Sequence, residues 1–372
     1  MNPVRRRWLA ALPAALATLT APGPAAASDT VRRGRAIGFP RDHGAHLDAR
    51  TEWWYATGWL GTAQSPSHGF QVTFFRSRTG LAQDLPGRLA PRQLLFAHAA
   101  VTDLAGRRHW HDQRIVRWNG EDGGAGAKRF AAASTGDTQV WIGPWSLQRG
   151  ADAYRSQVGG TGEGAAWSLD LTLRPTQPLL LQGEAGFSRK GPDERQASHY
   201  YSLPQLAAQA TVTLDGRRQD AAGRGWLDHE WSDEILAADA VGWDWIGFNG
   251  FDGSALTAFR LRRADGSALW AGGSHRAAGE GARSFGPTEV VWTPGRRWRS
   301  PGTGASYPVD WQVDTPAGRF GVRALLDTQE LDGRNGTGTV YWEGLSELLD
   351  SAGRRIGLGY LEMTGYAGTL RL

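Results

Sequence analysis

Residues 166–174 read Ala-Trp-Ser-Leu-Asp-Leu-Thr-Leu-Arg, with Trp167, Leu169, Leu171 and Leu173 alternating against Ser168, Asp170 and Thr172. A period of two puts every apolar side chain on one face of an extended strand and every polar one on the other. The same rhythm recurs in Phe70-Gln-Val-Thr-Phe-Phe75 and, from Leu94 to Ile115, in two strands joined by a turn at Ala105-Gly106. From Gly242 to Trp270 it gives three strands, with Asp252-Gly253 and Asp265-Gly266 at the turns. Aspartate-glycine pairs are turn chemistry, and 51 glycines in 372 residues supply many turns. Only residues 232–240 and 344–353 suggest a helical turn. The expectation is an all-β chain whose antiparallel strands close into barrels, because open edges aggregate.

The first residues stand apart from this pattern. Arg5, Arg6 and Arg7 precede an apolar run ending at Ala25-Ala26-Ala27, the layout of a signal peptide over residues 1–27. Arg5-Arg6-Arg7-Trp8-Leu9 also fits a twin-arginine leader. An exported, periplasmic or secreted protein is therefore expected, with no transmembrane segment once the leader is removed. The chain has no cysteine, so neither disulfides nor a cysteine-linked lipid holds it. Three of the 41 basic residues lie in the leader, which leaves 38 against 37 acidic ones. That balance gives no basic footprint for nucleic acid and favours an uncharged, apolar partner.

Chemistry-bearing residues gather among aromatic ones. In Gly225-Trp-Leu-Asp-His-Glu-Trp231, a strand places Asp228 and Glu230 on one face with Trp226, and His229 on the other. A carboxyl group flanked by indole loses hydration, which raises its pKa and lets it hold a proton near neutrality. A buried hydrogen-bond network is the competing reading of the same residues. His199, Tyr200 and Tyr201 form a second group, and His43, His46, Glu52 and His98 a third, with Trp53, Trp54 and Tyr55 directly beside Glu52. The third group reads as an apolar pocket wall around a carboxyl. The one metal-like histidine spacing, His109-x-His111 beside Asp112, reads as a solvated hairpin arm, and no glycine-rich loop marks a phosphate or dinucleotide site, so neither metal nor cofactor is expected. Glu52-Trp53 and Glu230-Trp231 echo each other near the starts of two halves, as a duplicated barrel would.

These motifs, with Asp42-His-Gly-Ala-His46, Gly242-Trp-Asp-Trp-Ile-Gly-Phe-Asn249 and the terminal Tyr341-Trp-Glu343 and Gly359-Tyr-Leu-Glu-Met-Thr-Gly-Tyr366, resemble the family of carotenoid 1,2-hydratase and AttH-like proteins. The resemblance runs from Gly38 to Tyr366. It implies two tandem lipocalin-like barrels, here expected over residues 38–210 and 216–372, with polar and aromatic residues meeting near the junction. It also implies a histidine before the junction and an aspartate after it, each with an aromatic residue two positions away: His199 with Tyr201, and Asp228 with Trp226. The two aromatic types are exchanged relative to the hydratase pattern. The expected catalytic set is Asp228, His199, His229, Glu230 and Tyr201. The expected binding set is Glu52, Trp53, Trp54, Tyr55, His98, Trp226, Trp231, Trp243 and Trp245. The expected activity is hydration or hydrolysis of an apolar molecule. A carrier that passes a hydrophobic ligand to a membrane transporter is the alternative.

Overall fold

The computed structural model describes residues 31–81, 83–85, 87, 90–121, 130–161, 164–334 and 338–370, and the expected leader lies outside them. Among these residues there is no α-helix, only antiparallel strands and one short 3-10 turn at Arg41–His43. The strands form two large sheets: the first takes strands between Thr51 and Ser232, the second strands between Gly242 and Thr364. In the first sheet the edge strands Arg108–Trp118 and Ala131–Ala133 come together, so the sheet nearly closes on itself. The second curls into a half-barrel. Together they make two lipocalin-like barrels, all-β as the alternation of the sequence predicts and paired as the family resemblance implies.

Each barrel has its own apolar interior. Trp54, Phe70, Val72, Leu95, Leu169, Leu171, Leu173 and Trp231 fill the first. Ile246, Phe248, Trp311, Val322, Trp342 and Met363 fill the second. A third cluster, including Tyr55, Trp59, Trp226, Trp245, Phe259, Leu345 and Tyr360, joins the outer face of one barrel to the other. Gly69 allows this approach: a β-carbon there would lie 2.8 Å from Tyr360 Oη and 2.9 Å from Leu345 Cβ.

Three expectations are corrected. Residues 344–353 form no helical turn, because Val340–Leu349 is a strand paired with Arg355–Thr364. All its positions from Tyr341 to Leu349 are buried, which hides the period of two. Residues 233–240 are irregular. Residues 205–225, where the sequence pattern places the junction, form the hairpin of Ala197–Leu214 with Arg217–Ser232, and its tip is Asp215-Gly216. The sheet changes instead between Ser232 and Gly242. Finally, Glu52-Trp53 and Glu230-Trp231 are not equivalent positions of two halves. They pair with each other in one ladder, Glu52 opposite Trp231 and Trp53 opposite Glu230.

That ladder organises the molecule. The strand Thr51–Gly61 lies between Pro66–Arg78 and Arg217–Ser232. One face of these strands looks into the first barrel and the other looks toward the second. A bulge between Leu203 and Leu206 turns Gln205 out of the ladder, with φ of 55°. Gln205 then donates its backbone N–H to Asn249 Oδ1 at 2.7 Å, tying the two barrels together.

Candidate functional site

Between the barrels lies a cavity of about 510 Å³. The first sheet lines it with Trp53, Tyr55, Phe75, Phe96, His98, Asp228 and Glu230, the second with Trp243, Trp245, Phe259, Tyr341, Glu343 and Glu362. Large aromatic walls with a few convergent polar groups are the usual make-up of a small-molecule site.

Asp228 is the best-supported polar group on this wall. It is 3% exposed. Its Oδ1 accepts from Ser202 Oγ at 2.5 Å and from Trp226 Nε1 at 2.7 Å, and its Oδ2 accepts from Tyr200 Oη at 2.8 Å. The donors are themselves held. Trp245 Nε1 donates to Tyr200 Oη at 3.3 Å. Ser274 of the second sheet donates to Gln182 Oε1 at 2.7 Å, and Gln182 donates to Ser202 Oγ at 2.8 Å. Three accepted hydrogen bonds leave one of the four lone-pair positions of the carboxyl free. Burial, outweighing the hydrogen bonds that favour the anion, pushes the carboxyl from 3.8 up to about 7. Glu230, two residues on, takes a hydrogen bond from Ser198 Oγ and an ion pair from Lys190 Nζ at 2.9 Å. The pairing of Asp228, Glu230 and Trp226 on one face is as the strand alternation predicted.

The opposite face of the same strands behaves differently. Glu52, fully buried inside the first barrel, accepts from Arg76 Nε at 2.8 Å, from His46 Nδ1 at 2.8 Å and from His229 Nε2 at 2.9 Å. Although burial opposes it, Arg76 and the two histidines hold this carboxyl well below its usual range. Glu52 is therefore an anion in a polar network, not the protonated acid of a pocket wall. The network continues from His229 Nδ1 to Tyr201 Oη at 3.0 Å and on to His43 Nδ1 at 2.9 Å. On the other side His46 Nε2 meets Asp42 Oδ1 at 3.0 Å. Trp231 stacks on His46 with ring centres 3.6 Å apart, and Trp54 stacks on His229 at 4.8 Å.

The structure therefore divides the expected residues into two sets. Asp228, Glu230, Trp53, Tyr55, His98, Trp243 and Trp245 line the cavity, and Trp226 supports Asp228 from beneath. Glu52, Trp54, His199, Tyr201, His229 and Trp231 face the first barrel's interior. His199 lies on the face away from Asp228, opposite Trp231 in the ladder, with no hydrogen-bond partner on either ring nitrogen. Burial brings its pKa down to about 4, so it is neutral. Histidine and aspartate, expected to act together, are on opposite sides of one sheet.

Sequence reasoning did not identify Glu343 and Glu362 as site residues. They face each other directly across the Val340–Leu349 and Arg355–Thr364 ladder. Burial first, then the neighbouring Glu362, pushes the Glu343 carboxyl well above its usual range. Burial likewise raises Glu362 to about 7. His98 Nδ1 hydrogen-bonds Tyr341 Oη at 2.7 Å across the cavity, and burial lowers its pKa to about 3.

Sequence spacing also missed one metal-capable trio. His46, Glu52 and His229 bring ligand atoms within 4.8 Å of one another. Arg76 already sets its charge on Glu52, and both nitrogens of His46 face carboxylates. These residues satisfy each other as a hydrogen-bonded network and do not fit a metal ion.

A model of the AttH-like family matches residues 30–366. The crystal structure of an AttH protein from Nitrosomonas europaea is 43% identical and superposes with a TM-score of 0.79, over 90% of this chain and 99% of that one. Kievitone hydratase from Nectria haematococca shares the fold at 15% identity and a TM-score of 0.64, over 90% of this chain and 94% of that one. No protein of curated function matches the chain in sequence.

Proposed function

Because the chain belongs to the AttH-like family, whose fold is shared by a hydratase, we propose that it adds water to an apolar small molecule bound between its two barrels. The observation that carries this reading is Asp228, a buried carboxyl on an aromatic cavity wall that is part protonated at neutral pH.

Asp228 is the general acid. In a hydration its proton passes to one alkene carbon, the π pair forming the new C–H bond and leaving a cation on the other carbon. The indole faces of Trp53, Trp243 and Trp245 and the Glu230 carboxylate stabilise that cation. Each desolvated cation–π contact is worth about 1–2 kcal/mol. Water adds through oxygen to the cationic carbon, and the proton it releases returns Asp228 to its acid form. Hydrolysis of an ester or lactone uses the same proton on the leaving oxygen. A proton transfer of this kind contributes about 10²–10⁴-fold to rate.

A panel of apolar alkenes and lactones incubated in ¹⁸O-labelled water tests the reading. Incorporation of one labelled oxygen, lost in Asp228→Asn, supports it, and the position of the label separates hydration from hydrolysis. Binding without incorporation for every member points to the carrier and overturns the enzyme. The leader pattern of residues 1–27 supports export. N-terminal sequencing of periplasmic protein that begins at Met1 would remove that part.

A further inference from the structure

Tyr55 Oη and Glu343 Oε1 are both buried, have no hydrogen-bond partner, and line the same cavity from different barrels. They lie close together: Glu343, by its charge and by a contact at the edge of hydrogen-bonding reach, raises the Tyr55 hydroxyl further above its usual range than burial alone does, yet neither atom has a partner at full hydrogen-bond distance and angle. An unpaired buried polar atom is costly, and native proteins keep few. Two that face one cavity side by side, one from each barrel, form a matched pair. We propose that Tyr55 and Glu343 form a subsite that recognises an uncharged oxygen, a hydroxyl or a carbonyl, on the apolar ligand. The proposal rests on the cavity being the ligand site.

The chemistry of the two groups sets the class of ligand. Glu343 stands directly across the ladder from Glu362. Two carboxyl groups so placed, Glu343 buried and Glu362 partly so, do not both ionise, and burial keeps Glu343 in its acid form. A neutral carboxyl donates one hydrogen bond and accepts others, and so does a tyrosine hydroxyl. Together they satisfy a hydroxyl or carbonyl oxygen from both sides. An anionic group is disfavoured, because the lining includes Asp228, Glu230, Asp233, Glu234, Glu343 and Glu362. Of the cations there, Lys190 is already paired with Glu230. Tyr55 is also the ladder partner of Asp228, which sets the recognised oxygen beside the acid. The ligand class is an oxygenated, uncharged hydrophobe.

The test uses three probes of one shape, naphthalene, 2-naphthol and 2-naphthoate, titrated calorimetrically into the full protein at pH 7. The expected order is 2-naphthol about tenfold tighter than naphthalene, as one or two hydrogen bonds would give, with 2-naphthoate weakest. Glu343→Leu and Tyr55→Phe each reduce the 2-naphthol preference while naphthalene still binds. Glu343→Gln, neutral and able to hydrogen-bond, keeps it. If Glu343→Leu does not fold, Tyr55→Phe, which removes one hydroxyl, decides alone. Equal affinity for naphthalene and 2-naphthol in the wild-type protein, or a preference that survives both apolar variants, overturns the subsite. Failure of all three probes to bind overturns the cavity reading itself.

Discussion

Replacing Asp228 with asparagine changes one group whose burial and partners are known, and it isolates that group's contribution to stability as a function of pH. Asparagine keeps the shape, and its oxygen still accepts from Ser202 Oγ and Trp226 Nε1. In the wild-type protein the carboxyl binds its proton more tightly folded, at about 7, than unfolded, at 3.8. Between those values the folded chain carries a proton that the unfolded chain has released. Stability therefore falls as pH rises from about 4 to about 7, and the loss is complete above the folded value. At about 1.4 kcal/mol per pH unit, the difference amounts to about 4 kcal/mol. The asparagine amide does not titrate, so the variant lacks this slope. Urea unfolding of both proteins, followed by indole emission from pH 4 to pH 8, gives the two curves. Subtracting one from the other removes the contribution of Glu343 and leaves of Glu362 only the part that the Asp228 charge adds to its raised pKa. The wild-type protein should lose about 4 kcal/mol relative to the variant across that range. Parallel curves, with a difference constant to about 1 kcal/mol, would show that Asp228 is already ionised at pH 4. It would then not serve as an acid.

Glu52→Gln should cost about 3 kcal/mol, because it leaves the buried Arg76 guanidinium without its counter-charge, and should leave the naphthalene affinity of the cavity unchanged. In the wild-type protein the depressed Glu52 carboxyl stabilises the fold above its unfolded value of 4.5, and this support drains away as pH falls below it. Denaturation midpoints of both proteins at pH 3 and pH 7 check the direction. Trp54→Ala should likewise destabilise by about 3–5 kcal/mol without changing ligand affinity, whereas Trp243→Leu should weaken binding with little loss of stability. Calorimetric titration beside thermal unfolding separates the two, and the reverse pattern would place the ligand inside the first barrel.

The alternation of Trp167 to Leu173 was legible in the sequence because one face of that strand meets solvent, and the structure has it as Trp167–Arg174. The shared face of Asp228 and Glu230 was legible for the same reason of period. What was not legible depends on which strands become neighbours. Nothing local tells that Trp226–Ser232 pairs with Thr51–Thr57 rather than opening a second barrel. Nor does anything local distinguish the two faces of Thr51–Gly61, since both are buried. The sequence reading therefore joined Glu52 and Trp54 to Trp53 and Tyr55 in one wall. Glu343 and Glu362 were hidden in the same way: their strands are buried on both sides and become acid partners only through ladder register.

Gly69 bears on how the cavity holds its shape. A glycine at the barrel-to-barrel contact lets the Tyr360 and Leu345 side chains of the second barrel sit against the backbone of the first, and Thr51–Gly61 presents one set of side chains to each side of the sheet it belongs to. Trp53 and Tyr55 are thus separated from the Glu52 network by the thickness of one backbone. Changes at these odd-numbered positions, or at Phe75, Phe96, Trp243 and Phe259 around the same cavity, do not disturb the ions that stabilise the first barrel. The protein is built so that its selectivity can be retuned one wall at a time, and a library confined to those six positions should return folded variants with new ligand preferences.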